Sequence, residues 1–426
     1  MSRTSAAPRA RLITCAAAAA ALLPRARALD NGFRAPALGW SSWYGFTSNI
    51  NEVLLRDIAD GLVASGLRDA GFRLLAIDDG WALPRMPNGT VTVDPAVFPS
   101  GIPAFVDYLH ARGLLFGIYT SVGSLTCLGY QPNQPKRPGS CGFEELDAAT
   151  YAAWGVSAVK DDGCGSCPQH NPYIAMRDAL NATGRHIYYE IHAGTTPGSP
   201  NGTVANDWRT GDDLYSSSYA MWTNRLDLAT APTQAALTGP GAFPNPDFLE
   251  VGYSPRAPKG AAGVMSALEQ RSMFTMWAAL PTALILSADV RVGAPNGGVD
   301  ADALATLTNA EVIAVNQDAL AAPMRCVANS SDGGALQVWR KPLAAAGGAA
   351  AAVVLFHRGA DTSGPLPQPP AVRAIAATWA ALGLAPGARV AVRDLWAKQD
   401  LGVFSGPAFT VNVTQRDARL FTFVPA

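Results

Sequence analysis

Three acidic pairs close short apolar or strand-like runs: Asp78-Asp79 in LLAIDD, Asp161-Asp162 in VSAVKDD and Asp212-Asp213 in NDWRTGDD. Charged residues are only 15% of the chain, so acids placed this regularly need a reason. Paired carboxyls can carry out glycoside hydrolysis, where one attacks the anomeric carbon and the other protonates the leaving oxygen. Held close together they cannot both ionise easily, so one stays charged while its partner keeps a proton. A lone acid at a strand end reads more simply as a helix cap. A series of pairs at successive strand ends does not. Cys164-Gly-Ser-Cys167 has metal-ligand spacing, but no second CxxC and only five histidines accompany it, so no metal is expected.

These acids can meet only if the strand ends converge on one face. Strand-like segments recur at 38–43, 74–78, 114–120, 156–161, 186–191, 206–210, 235–241 and 282–290. Between the first two, Val53, Leu54, Ile58, Leu62 and Val63 mark one face of an amphipathic helix. Further helical patterns run over 102–112, 146–154 and 174–182. Eight strand–helix units in this length suit a (β/α)8 TIM barrel, which places catalytic residues at the C-terminal ends of its strands. A doubly wound sheet would carry a glycine-rich phosphate turn after its first strand, and GWSSWYGF is not one. After Asp318 the pattern becomes alternating: ALQVWR, AAVVLFH, ARVAVRDLW, FTVNV and RLFTFV predict an antiparallel β domain over 319–426. The Ala/Gly tract at 343–352 is expected to lengthen a hairpin loop.

At 426 residues and net charge −1, the chain has room for both domains and no electrostatic footprint for nucleic acid. Arg3, Arg9 and Arg11 precede LITCAAAAAALL and then Ala26-Arg27-Ala28, the layout of a signal peptide over 1–28. That apolar stretch is shorter than the roughly 20 residues needed to span a bilayer. A secretory route follows as the expectation, to the exterior or to a lysosome or vacuole. Sequons at Asn88, Asn181, Asn201, Asn329 and Asn412 suit it. Removing the leader with Cys15 leaves Cys127, Cys141, Cys164, Cys167 and Cys326, which predicts two disulfides and one free thiol.

Taken together, GWSSW, IDDGW, GIYTSVGSLTC, VKDDGC, WRTGDD and GPGAFPNPD resemble glycoside hydrolase family 27, the family of lysosomal α-galactosidase, α-N-acetylgalactosaminidase and the melibiases. The resemblance runs from Leu29 through VIAVNQD and into DLWAKQDLG. It implies a retaining enzyme with a TIM barrel, a C-terminal β-sandwich and no cofactor, acting on an α-galactoside oligosaccharide, polysaccharide or glycoconjugate. Asp162 matches the family's nucleophile and Asp213 its general acid/base, with Asp212 the neighbour set aside by the register from Trp208 and Arg209. Asp78 and Asp79 match contacts to sugar hydroxyls, and Trp43 the apolar wall beneath the ring. Tyr119, Lys160, Glu190, Arg209 and Asp247 match further sugar-contacting positions, with Glu190 reading the 2-hydroxyl. Cys127 and Cys164 match a family bridge, and Cys141 with Cys167 is the remaining pair.

Some positions depart from the pattern. Ser48 and Gly80, and Tyr189 and Ala205, stand where the family has two further disulfides. Asp161 replaces an aromatic residue, and strand alternation should turn it away from Asp162. Ala193 is small where an N-acetyl sugar would need space, yet Glu190 favours a bare 2-hydroxyl. The rival readings are an α-N-acetylgalactosaminidase, a β-L-arabinopyranosidase, which the intact Asp78 disfavours, and a non-catalytic galactose-binding protein, which the presence of both acids disfavours.

Overall fold

The computed structural model describes residues 31–168, 171–192, 202–214, 218–252, 265–291, 293–294, 298–331, 333–345, 350–359 and 366–426. The expected leader, Ala193 and the sequon at Asn201 lie outside them. The four described sequon asparagines are exposed.

Eight parallel strands form one curled sheet: β1 (Leu38–Ser41), β2 (Leu74–Ala76), β3 (Leu115–Ser121), β4 (Ala158–Asp162), β5 (Tyr188–Ile191), β6 (Asp207–Arg209), β7 (Phe243–Asn245) and β8 (Leu284–Leu286). They pair in sequence order, with β8 beside β1. The chain just beyond β7 closes the ring: Leu249 bridges in parallel to Leu286, and its N–H donates to the Ile285 carbonyl at 2.8 Å. The strands are buried on both faces, so they read as continuous apolar runs rather than alternating ones. Close approach fixes a glycine here. A Cβ at Gly39 would lie 2.3 Å from the Leu74 carbonyl oxygen on the next strand.

Helices cover the outside. The first long one, Glu52–Ala64, is capped by Asn51, whose Oδ1 accepts from the Leu54 N–H at 2.9 Å. It buries Leu55, Ile58, Ala59 and Leu62, an i, i+3, i+4, i+7 stripe worth about 1.5–3 kcal/mol for each large side chain. Val53, assigned to that face from the sequence, is instead 70% exposed, because two positions before Leu55 places it on the solvent side. The seventh strand also differs from expectation. Residues 235–241 end the helix Pro232–Leu237 and then turn, with the Gly239 N–H bonded to the Ala242 carbonyl at 3.1 Å. The strand begins only after that turn.

The C-terminal part is antiparallel. Its strands are β9 (Arg325–Asn329), β10 (Leu336–Pro342), β11 (Ala351–His357), β12 (Val372–Thr378), β13 (Val390–Asp394), β14 (Gln399–Phe404), β15 (Ala408–Thr414) and β16 (Ala418–Pro425). One sheet runs β9-β10-β11-β16-β13-β14 and the other pairs β12 with β15. Val353, Leu355, Ile375, Val413, Phe421 and Phe423 fill the space between them. The opposite face of the larger sheet gives Trp339, Val354, Phe356 and Leu420 to the barrel's own core. The sequence missed β9, β12 and β14 because their exposed residues follow no clean alternation. The Ala/Gly tract does join two paired strands, β10 and β11. Cys326 on β9 was expected as the odd thiol, but it is disulfide-bonded, and among the described residues no cysteine is free. The expectation rested on discarding Cys15, which lies outside the described residues.

Candidate active site

The site forms at the C-terminal ends of the barrel strands. Register places Tyr119 beside Lys160, Lys160 beside Glu190 and Glu190 beside Asp207, so one row of polar side chains crosses β3 to β6 on the inner face. Asp162 ends β4 one step above that row, with its side chain 17% exposed. Its Oδ2 accepts from the Tyr119 hydroxyl at 2.8 Å. Its Oδ1 accepts from the Gly163 N–H at 2.7 Å and lies 3.0 Å from His192 Nδ1. Burial alone would raise its pKa. The His192 hydrogen bond and then the Lys160 charge outweigh burial and hold the carboxyl well below the usual carboxylate range. Asp162 is therefore a carboxylate fixed in orientation and kept ionised.

Asp213 lies in the loop after β6, half-buried, with Oδ1 3.1 Å from Arg209 Nη2. Asp212 beside it is exposed. The same Arg209 nitrogen bonds Asp247 Oδ2 at 2.9 Å, and that oxygen also accepts from the Tyr44 hydroxyl at 2.6 Å and the Leu214 N–H at 2.8 Å. Asp247 Oδ1 accepts from the Phe248 N–H at 2.8 Å. Three protein donors thus meet on Oδ2 and one on Oδ1, and the residue sits in the left-handed region at φ 92°. Asp247, expected at the sugar from the sequence, also ties Arg209 and the Leu214 N–H beside Asp213 to one carboxyl.

Asp78 Oδ2 receives Lys160 Nζ at 2.7 Å, and Asp78 Oδ1 receives the Asp79 N–H at 2.9 Å. Burial raises the Asp78 pKa, while Lys160 pulls it back. Asp79 Oδ2 accepts from the Leu128 N–H at 2.8 Å, and burial pushes its pKa up to about 6. Burial alone would lower the Lys160 pKa; the charges of Asp78, Asp162 and Glu190 raise it instead, so the amine stays charged. Glu190 is half-buried, and its Oε1 has no hydrogen-bond partner among the described residues. Burial pushes its pKa up against the pull of Lys160 and Arg209. Trp43 is half-buried against Phe248 and Ile285.

Asp161 does turn away from Asp162, and its partner is Tyr189, whose hydroxyl donates to Asp161 Oδ2 at 2.8 Å. Burial raises the Asp161 pKa well above normal, more than Tyr189 offsets, so the group is held neutral rather than as a buried charge. Cys127 bonds Cys164, and Cys141 bonds Cys167. Cys127, Asp162 and Cys164 cluster, but both sulfurs are tied in that disulfide and offer no thiolate to a metal. A Cβ on Gly80 would lie 2.9 Å from Ser48 Cβ, so these two positions do adjoin without a bridge.

Sequence reasoning passed over His192, Tyr44 and Asp207. His192 was findable, since it lies two residues beyond Glu190 and strand alternation returns it to the same face. Asp207 faces Glu190 across β5 and β6. Its pKa is raised well above normal by burial and then by Glu190. Tyr44 carried no spacing signal.

The alpha galactosidase A family model matches residues 35–318, and the model for the alpha galactosidase C-terminal beta sandwich domain matches 333–423. The chain is 37% identical over 405 residues to alpha-galactosidase 3 of Arabidopsis thaliana, covering 93% of this chain and 84% of that one. It is 35% identical over 396 residues to the alpha-galactosidase of Coffea arabica, covering 92% and 94%. Among solved structures, alpha-galactosidase I from Mortierella vinacea superposes with a TM-score of 0.78 at 30% identity, covering 93% of this chain and 99% of that one.

Proposed function

The chain belongs to the alpha galactosidase A family, glycoside hydrolase family 27, and from that premise we propose that it is a retaining α-galactosidase removing terminal α-D-galactosyl residues. The observation that carries this reading is the unequal setting of two acids: Asp162 ionised and clamped by Tyr119, Gly163 and His192, and Asp213 on a half-buried loop beside Arg209. In the first step a carboxylate oxygen of Asp162 forms a bond to the anomeric carbon as the glycosidic C–O bond breaks. The departing oxygen takes its proton from Asp213. In the second step water attacks the same carbon, gives its proton to Asp213, and the Asp162–sugar bond breaks with its electron pair returning to the carboxylate. Retention requires the carboxyls to work about 5–5.5 Å apart.

Glu190, with its free buried oxygen, accepts from the 2-hydroxyl, which favours galactose over N-acetylgalactosamine. Asp78 and Asp79 receive further hydroxyls, Lys160 and Arg209 hold the charges in place, and Trp43 forms the apolar floor. The substrate is an α-galactoside of an oligosaccharide, polysaccharide or glycoconjugate, and the route is secretory. Among the described residues no helix is long and apolar enough to cross a membrane.

Asp162→Asn and Asp213→Asn should each remove most activity while leaving the fold intact. A dinitrophenyl galactoside needs little protonation, so it should restore phenol release in the Asp213 variant and not in the Asp162 variant. Equal restoration in both would overturn the assignment. A matched panel of aryl α-galactoside, α-N-acetylgalactosaminide and β-L-arabinopyranoside should show the first as the preferred substrate.

A further inference from the structure

The mechanism above uses His192 only to hold Asp162 in place, although it stands against the reacting carboxylate with 23% of its side chain exposed. Its Nδ1 is 3.0 Å from Asp162 Oδ1. A bare ring nitrogen and a carboxylate oxygen are both acceptors and would repel at that distance, so Nδ1 carries the hydrogen and donates. In this tautomer Nδ1 offers its hydrogen whether or not Nε2 carries one as well.

The two oxygens of Asp162 are treated differently. Oδ1 receives two donors, the His192 ring and the Gly163 N–H at 2.7 Å. Oδ2 receives one, the Tyr119 hydroxyl at 2.8 Å; the Cys127 sulfur 3.2 Å away is in a disulfide and has no hydrogen to give. Oδ2 therefore keeps the freer lone pair and is the attacking oxygen, and Oδ1 becomes the carbonyl oxygen of the sugar ester. A carboxylate oxygen accepts hydrogen bonds more strongly than an ester carbonyl. A donor on Oδ1 thus stabilises Asp162 as a carboxylate more than as an ester.

We propose that His192 is a positioning residue that speeds release of the galactosyl ester, because its Nδ1–H stabilises the Asp162 carboxylate as it departs. This rests on Asp162 being the nucleophile. In the second step the water oxygen bonds to the anomeric carbon and the C–Oδ2 bond breaks. Its electron pair spreads over both oxygens of Asp162, and the charge reaching Oδ1 meets the His192 and Gly163 hydrogens. The same contact makes Asp162 a weaker nucleophile in the first step. Lys160, Tyr119, Asp78, Asp161 and Tyr173 also lie within electrostatic reach of Asp162. Of these only Tyr119 bonds the carboxylate directly, and it bonds the other oxygen.

The test compares wild type, His192→Ala, His192→Leu and His192→Asn by stopped flow on a dinitrophenyl α-galactoside, reading ester formation and ester decay separately. In the Ala and Leu variants the ratio of decay rate to formation rate should fall at least ten-fold, the scale of one charge-assisted hydrogen bond. A burst of one phenol per site should appear, with kcat and KM falling together. His192→Asn places an amide N–H where Nδ1 stood and should restore the wild-type ratio. Leu keeps bulk at the position, so a folding fault confined to Ala does not decide the result. Loss of kcat and kcat/KM together without a burst, or an unchanged ratio in the Ala and Leu variants, would overturn the proposal. Peptide mapping of the burst species should find the sugar on Asp162. An ester on another residue would overturn the nucleophile assignment itself.

Discussion

Lys341 is buried in the interior with no partner on its amine among the described residues. It lies on β10 between Trp339 and Leu343, and alternation sends all three to the face packed on the barrel. Burial pulls its pKa from 10.5 down to about 7, and Asp318 opposes this only weakly. The sign follows from proton binding. The folded state holds its proton less tightly than the unfolded chain, so stability rises with pH between about 7 and the unfolded value. Below about pH 7 the full cost applies, which for a shift of this size is about 5 kcal/mol. At about pH 9 roughly 2 kcal/mol of it remains. Lys341→Met keeps the length and removes the charge. Urea unfolding should show the variant more stable by several kcal/mol at pH 6, with the gap shrinking steadily at pH 8 and pH 9. Galactoside kcat should not change, since the residue is on the sandwich. A gap independent of pH, or a variant no more stable than wild type at pH 6, would refute the reasoning.

Asp161→Asn should raise stability above about pH 5 and have little effect near pH 3, because the native acid is held protonated and pays for that as the unfolded chain ionises; unfolding midpoints across that range are the check. Glu190→Ser should lower galactoside kcat/KM by roughly ten- to a hundred-fold and move preference toward N-acetylgalactosamine, measured on paired aryl glycosides; an unchanged preference would place the reader of the 2-position on another loop. Tyr119→Phe removes the hydroxyl that fixes the direction of Asp162 Oδ2, and kcat/KM should drop about ten-fold as that orientation is lost, with the unfolding free energy held within about 1 kcal/mol.

The acids at 78–79, 161–162 and 212–213 were legible because strand ends in a closed barrel must converge, and local apolar patterning marks where strands end. The two described disulfide pairs were legible from a resemblance and simple arithmetic, yet the same arithmetic misread Cys326, since a cysteine's partner is chosen by distance and not by count. Local pattern also misplaced the seventh strand, because a glycine turn and a short apolar strand differ only in backbone direction. Register across strands was wholly beyond the sequence. It set Tyr119, Lys160, Glu190 and Asp207 in one row and brought His192 to Asp162. Asp247 shows the division most clearly: the sequence supplied an acid near a sugar site, but only the fold delivered Tyr44, Arg209 and the Leu214 N–H to one of its oxygens. Composition and spacing chose the chemical groups. Which oxygen meets which donor depends on contacts between residues far apart in the chain, and those exist only once the barrel has closed.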